Sequence, residues 1–200
     1  MVTQEAERNN IKMHDTWGVA YDESFTKLDK SKPKRDNDIF FYGGYCDRRQ
    51  AFFNTFSLPI FHGMCDERIY QDELHRELAK SKILLNIHTY DCKNQYEIMR
   101  FILGISEKIL IISETIEDSC PLIIGEHFLS LPLGEIQDAC EYYLDRDDER
   151  EEIVNNAFDY LKINHSIDER VYNFLVANID DTMERKNLEV EFPKVIHYVK

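Results

Sequence analysis

Residues 81–114 read SKILLNIHTYDCKNQYEIMRFILGISEKILIISE. An apolar run (ILLNIH, 83–88) gives way to a polar loop, then to an amphipathic stretch (YEIMRFILGIS, 96–106), then to a second apolar run (ILIISE, 109–114). Two strands separated by a helix of that length form a βαβ unit, because parallel neighbours can be joined only by a long crossover. In open parallel sheets ligands bind where the strands end and the loops begin. Here those ends carry Asn86, His88, Glu97, Arg100, Ser113 and Glu114. They predict a site for a polar ligand.

The same alternation extends in both directions. DIFFYGG (38–44) reads as a strand running into a Gly-Gly turn, followed by a helix from Asp47 to Phe56. LPIFHG (58–63) is a short second strand, and the stretch from Glu67 to Ala79 is helical. Downstream, EHFLSL (126–131) is the last strand. In the helix Glu135–Leu144, Ile136, Ala139, Cys140, Tyr143 and Leu144 take the spacing of a core-facing stripe. A long helix passes through Ile153, Ala157 and Leu161, and Ser166 with Glu169 makes a capping box for one more. Strands alternating with helices predict an α/β fold, a doubly wound parallel sheet in a single domain over 38–180. Residues 1–37 form an arm or linker, docked through Trp17 and Tyr21, and 181–200 form a tail.

A 200-residue chain buries roughly 70% of its unfolded surface, enough for a three-layer core without metal or disulfides. The net charge of −14 argues against a general nucleic-acid or membrane-surface binder, since no basic stripe is present to neutralise phosphates. One bound nucleotide needs only local donors and stays open. The acidic runs DRDDEREE (145–152) and 180–191 read as solvated helix faces and ends. The five cysteines (Cys46, Cys65, Cys92, Cys120, Cys140) are scattered, odd in number and lack a CxxC pair, which suits free thiols in a reducing compartment. With no apolar leader and no run long enough to span a bilayer, the expectation is a cytoplasmic protein.

The first loop, YGGYCDRRQ, offers Gly43 and Gly44 for positive φ or close backbone approach, and Arg48 and Arg49 at the start of a helix. Exposed N–H groups and a bidentate guanidinium there suit a phosphate; a plain tight turn with surface arginines is the other reading. Glu97 and Arg100, at i and i+3, form either a helical ion pair or a pair serving a ligand, Arg100 toward a diphosphate and Glu97 toward a sugar hydroxyl. His88 is either a general base or polar contact, or a satisfied core histidine. Ser113 and Glu114 line the same crevice. His62 and Cys65 have ligand-like spacing, but no second pair completes a metal site. No nucleophile elbow, Walker loop or HExxH is present.

These motifs resemble a known group. FYGGYCDRRQAFF (41–53) is similar to the FIGS-x-N-x-RR start found in the C-terminal half of GT-B glycosyltransferases of the CgeB-like spore-maturation type. SKILLNIH, the E-x-x-R of Glu97 and Arg100, and ILIISE resemble that group's SKIvLNiH, E-x-x-R and vvSE; EYYLDRDDEREEIVNNAFDYL resembles its paired downstream helices. The likeness spans about 38–175. It implies a Rossmann-like domain, one half of a two-domain enzyme, binding a nucleotide sugar and serving transfer of its glycosyl group to a hydroxyl. It also implies no metal or other cofactor. Matching positions are Asn86, His88, Glu97, Arg100 and Glu114, with Arg48 and Arg49 on the first loop; His88 and Glu97 are the candidate catalytic residues, and Gly43, Gly44, Arg48, Arg49, Asn86, Arg100, Ser113 and Glu114 the donor-binding set. The chain departs at Leu103, where a second acidic residue is common, and at Lys108, where glycine is expected before the fourth strand. It begins near what would be the interdomain linker. The acceptor side is therefore expected from a separate N-terminal half or a homodimer partner. The competing readings are an inactive remnant serving as an interaction module, and another α/β enzyme acting on a phosphorylated metabolite.

Overall fold

Strands whose side chains alternate between two apolar sets must be covered on both faces. A computed structural model, which describes residues 20–22, 34–44, 46–61, 71–91, 97–119 and 121–178, shows that arrangement. Strands β1 (Asn37–Phe40), β2 (Ile60–Phe61), β3 (Ser81–Asn86), β4 (Leu110–Glu114) and β5 (Leu129–Leu131) form one all-parallel sheet in the order β2-β1-β3-β4-β5. Helices α1 (Asp47–Thr55), α2 (Gln71–Ala79), α3 (Ile98–Ser106), α4 (Ile136–Leu144), α5 (Asp147–Asn164) and α6 (Ile167–Asn178) follow in chain order, with a 3-10 turn Leu133–Glu135 leading into α4. The fold is a small, single, Rossmann-like α/β domain.

The two faces have separate cores. Phe40, Leu84 and Ile111 point to one side, under Leu78 of α2, Phe101 and Ile105 of α3 and Leu161 of α5. Ile39, Ile83, Leu85, Leu110 and Ile112 point to the other, under Phe52 of α1 and Ile136 and Cys140 of α4. Burial pushes the Cys140 thiol up to about 12, with Glu141 adding to it, so this cysteine behaves as a small apolar side chain.

Several elements are shorter than the sequence pattern suggests. The ladder of β1 stops at Phe40, and the carbonyl of Tyr42 is taken instead by a side chain from α3. β5 is a half-buried edge strand of three residues, a length that limits what an exposed edge can recruit. Glu97 is the N-cap of α3 and not part of its first turn. The expected helix start at Glu67, the His62–Cys65 spacing, Trp17, Cys92, Cys120 and the 181–200 tail lie outside the described residues.

Lys108 takes φ 53°, the one positive φ of a non-glycine among the described residues. It sits in the turn between α3 and β4, where the resemblance calls for glycine. The left-handed region costs an L side chain about 1–2 kcal/mol, and glycine gives back part of that gain through its looser unfolded state. Lys108→Gly is therefore expected to stabilise the fold by about 0.5–1 kcal/mol, read from urea unfolding. It forfeits only an exposed contact to Asn155 and the Lys108 ammonium over the Phe158 ring.

Among the described residues, the segment ahead of β1 is joined to the domain at Tyr21 and at Arg35. Tyr21, 5% exposed, forms a parallel bridge with Ser166, its N–H donating to the His165 carbonyl and its carbonyl accepting from Ile167 N–H. Arg35 donates to the carbonyls of Ala79, Ser81, Glu107 and Lys108, where the chain enters β3 and β4. On either side of the Tyr160 ring, burial lowers the pKa of both His127 and His165, the latter helped by Arg170, and His127 Nδ1 accepts from Ile123 N–H at 3.1 Å. Both imidazoles are thus held neutral by the fold. Their contribution is complete above the unfolded value of about 6.5 and is lost as pH falls toward the lower folded value. The melting temperature is expected to drop by several degrees between pH 7.5 and 5.5, and less so in His127→Gln.

Candidate functional site

Strand order decides where a crevice opens. The chain leaves β1 toward β2 on one side and returns to β3 on the other, so the loops after β1 and β3 diverge. That is the switch point at which ligands sit in doubly wound sheets. Every arginine singled out in the sequence reaches this place.

Arg100 rises from the first turn of α3. Its Nη1 donates to Asn86 Oδ1 at 2.8 Å and its Nη2 to the Tyr42 carbonyl at 3.0 Å, while Glu97 Oε2 lies 2.8 Å from the same Nη2. Asn86 in turn donates to Ser113 Oγ at 2.9 Å, and Ser113 donates to the Glu114 carbonyl. Arg49, on α1, donates from Nε to the Ile87 carbonyl at 2.9 Å and from Nη1 to the Gly44 carbonyl at 3.0 Å, with Glu97 Oε1 at 3.6 Å. Both guanidinium groups lie against the Phe41 ring, 5.4 and 5.6 Å from its centroid, and Arg100 also covers Tyr42 at 4.8 Å. Burial, with Arg100 nearby, lowers the pKa of Arg49, and Glu97 opposes that shift. Burial likewise raises the Tyr42 phenol against the pull of Arg100. One carboxylate shared between two close cations keeps this inner layer tolerable.

Arg48 makes a second layer. It grips Glu114 with both Nη atoms, Nη1 to Oε2 at 2.8 Å, and Nη1 also donates to the His88 carbonyl at 3.1 Å. The Glu114 bond raises the Arg48 pKa above its usual value. The His88 N–H donates to Glu114 Oε2 at 3.1 Å. Asp91 Oδ1 stands 3.9 Å from Arg48 on the solvent side.

Exposure separates the candidates. Asn86, Ser113, His88, Arg49 and Arg100 are buried, whereas the side chains of Arg48 and Glu97 are 24% and 26% exposed. A general base must come within hydrogen-bond reach of substrate. The His88 ring is 1% exposed, with Nδ1 3.9 Å from Glu114 Oε2. Neither glycine of the first loop has positive φ. Gly43 is there for close approach: a Cβ would lie 2.9 Å from Phe41 Cζ and 3.0 Å from Arg49 Nη1, whereas Gly44 faces open space. The bodies pressed against Gly43 are thus the protein's own Phe41 ring and Arg49.

Three participants escaped the motif reading. The Phe41 and Tyr42 rings carry the two buried guanidinium groups; the aromatic run FFY was visible, but it read as strand. Cys46 is the N-cap of α1, its Sγ accepting from Arg49 N–H. A cysteine in a position usually held by Ser or Asp gives no capping signal. Next to Arg48, a groove of about 570 Å3 runs between α1 and the start of α4, walled by Phe52, Phe56 and Leu133 and edged by Gln137 and Asp138. Among the described residues no cluster of His, Cys, Asp and Glu could hold a metal ion, and no helix is long and apolar enough to cross a membrane. No family model and no curated protein matches the chain.

Proposed function

We propose that the crevice between the β1 and β3 loops binds the diphosphate of a nucleotide sugar, and that the domain is the donor-binding part of a GT-B-type glycosyltransferase. The observation that carries this reading is the meeting of Arg48, Arg49 and Arg100 with Glu97 at the strand-order switch point, with Arg48 and Glu97 open to solvent. In this scheme Arg48 meets the diphosphate and offsets the charge that grows on it as the glycosyl bond breaks, an electrostatic role of the kind that often dominates catalysis. Glu97 accepts from a sugar or ribose hydroxyl. Arg49, Arg100, Asn86 and Ser113 hold the two loops at a fixed separation, and His88 and Glu114 orient Arg48. The acceptor hydroxyl arrives from a separate N-terminal half or a second copy, which also excludes water from the crevice.

The test is titration calorimetry of the full chain with UDP- and GDP-sugars. A dissociation constant below about 1 mM for one of them, lost in Arg48→Ala, is expected. A second reading, an inactive remnant that serves as an interaction module, draws on a specific fact: Nε and Nη1 of Arg49 and both Nη atoms of Arg100 already have internal acceptors. Absence of binding for every nucleotide sugar at millimolar concentration would favour it.

A further inference from the structure

Glu114 receives the donors that a phosphate oxygen would. Its carboxylate is met by the two-pronged guanidinium of Arg48 and by the backbone N–H of His88. A planar guanidinium fork with an added amide N–H suits carboxylate and phosphate alike. The groups that hold the crevice together differ from this one in exposure. Arg49 and Arg100 are 4% and 8% exposed, the first tied to the Ile87 and Gly44 carbonyls and the second to the Tyr42 carbonyl and the Asn86 side chain, but Arg48 keeps a quarter of its surface in water.

We infer that Glu114 is an internal anion seated in the diphosphate position, and that ligand binding exchanges this carboxylate for a phosphate on Arg48. The inference deepens the proposed function and rests on it for the identity of the ligand, though the exchange itself requires only a phosphate. A dianionic or more highly charged group outcompetes a single carboxylate for the fork, whereas monocarboxylates do not. In the absence of ligand the seat is filled. Arg48 therefore stays oriented, and the crevice discriminates against weakly charged anions. Affinity is set by the competitor carried on the last residue of β4.

The exchange is tested by titrating inorganic pyrophosphate and UDP into the full chain and into Glu114→Gln and Asp91→Asn. Glutamine keeps the shape and an acceptor for Arg48 but removes the competing charge. Glu114→Gln is expected to bind pyrophosphate roughly tenfold more tightly or better, a gain abolished by adding Arg48→Ala. Asp91→Asn removes an equal charge 3.9 Å from the same guanidinium without vacating the seat, and is expected to change affinity by less than about threefold. Equal or weaker binding by Glu114→Gln, or a matching gain in Asp91→Asn, overturns the exchange. Should Glu114→Gln fail to give a cooperative melt, the wild-type chain decides. On saturation with pyrophosphate, the carboxyl carbon resonance of Glu114 moves to a solvent-exposed position if the exchange occurs, and stays in place if it does not. The two ideas fail separately. UDP binding with no Glu114 effect removes the exchange and leaves the donor-site reading; a Glu114 effect on pyrophosphate with no preference for UDP or its sugars does the reverse.

Discussion

Arg100→Ala is expected to lower the unfolding free energy by about 3 kcal/mol, which for a chain of this size is roughly 6–12 °C in melting temperature. The residue is 7% exposed, and its guanidinium joins five groups: the Asn86 side chain, the Tyr42 carbonyl, the Glu97 carboxylate and the faces of two aromatic rings. Its removal strands the fully buried Asn86 oxygen and the carbonyl just past β1. Glu97 loses its nearest cation but can relax toward water, which keeps the cost toward the lower end for a broken buried pair. Lysine, a point charge without the fork, cannot serve acceptors on β1 and β3 together, so Arg100→Lys is expected to recover less than half of the loss. Urea unfolding of both variants measures this. A change under about 1 kcal/mol in Arg100→Ala would mean that the two loops keep their separation without it.

Phe101→Ala is expected to cost more, about 4 kcal/mol, and without a matching effect on ligand affinity in the protein that remains folded. Phe101 is fully buried and packs edge to face on Phe128, with centroids 4.8 Å apart and planes at 85°. It points into the core from the turn whose neighbouring residue, Arg100, points into the crevice. The pair Phe101→Ala and Phe128→Ala is expected to fall short of additivity by about 0.5–1.5 kcal/mol, the share that belongs to the ring–ring geometry. Calorimetric titration of Phe101→Ala well below its melting point separates core damage from site damage; a Kd shifted more than about fivefold would show that the two sides of α3 are coupled.

The sheet was legible because its residues repeat at the period of the structure they form. The run ILLNI alternates between two apolar layers and is buried throughout, and IMRFILGIS presents a helical stripe, so β3, α3 and β4 follow from pattern alone. Site chemistry was legible only as far as residue type. Glu97 and Arg100 stood out through spacing, and Arg48 and Arg49 through their place at a helix start. Their division of labour was not, since adjacent residues on a helix point about 100° apart and only the packed structure shows which one turns inward. Arg49 goes under Gly43 and into the domain; Arg48 stays at the mouth. Nor does sequence carry a record of burial, and His88 was open to reading as a base or as a core histidine. Close approach at Gly43 was foreseen, but not that the neighbours there would be the Phe41 ring and Arg49.

Arg35 changes what counts as the beginning of the folded unit. The last carbonyl of α2, the first of β3 and two in the turn leaving α3 converge on a single guanidinium that enters from upstream of every strand. Helix C-terminal ends carry partial negative charge and unmet acceptors, and one planar cation answers both at once. What reads as a tether in composition is, at this residue, a buckle. Shortened versions made to begin at Asp38 would release it, loosening the turns into β3 and β4 from the edge farthest from the crevice.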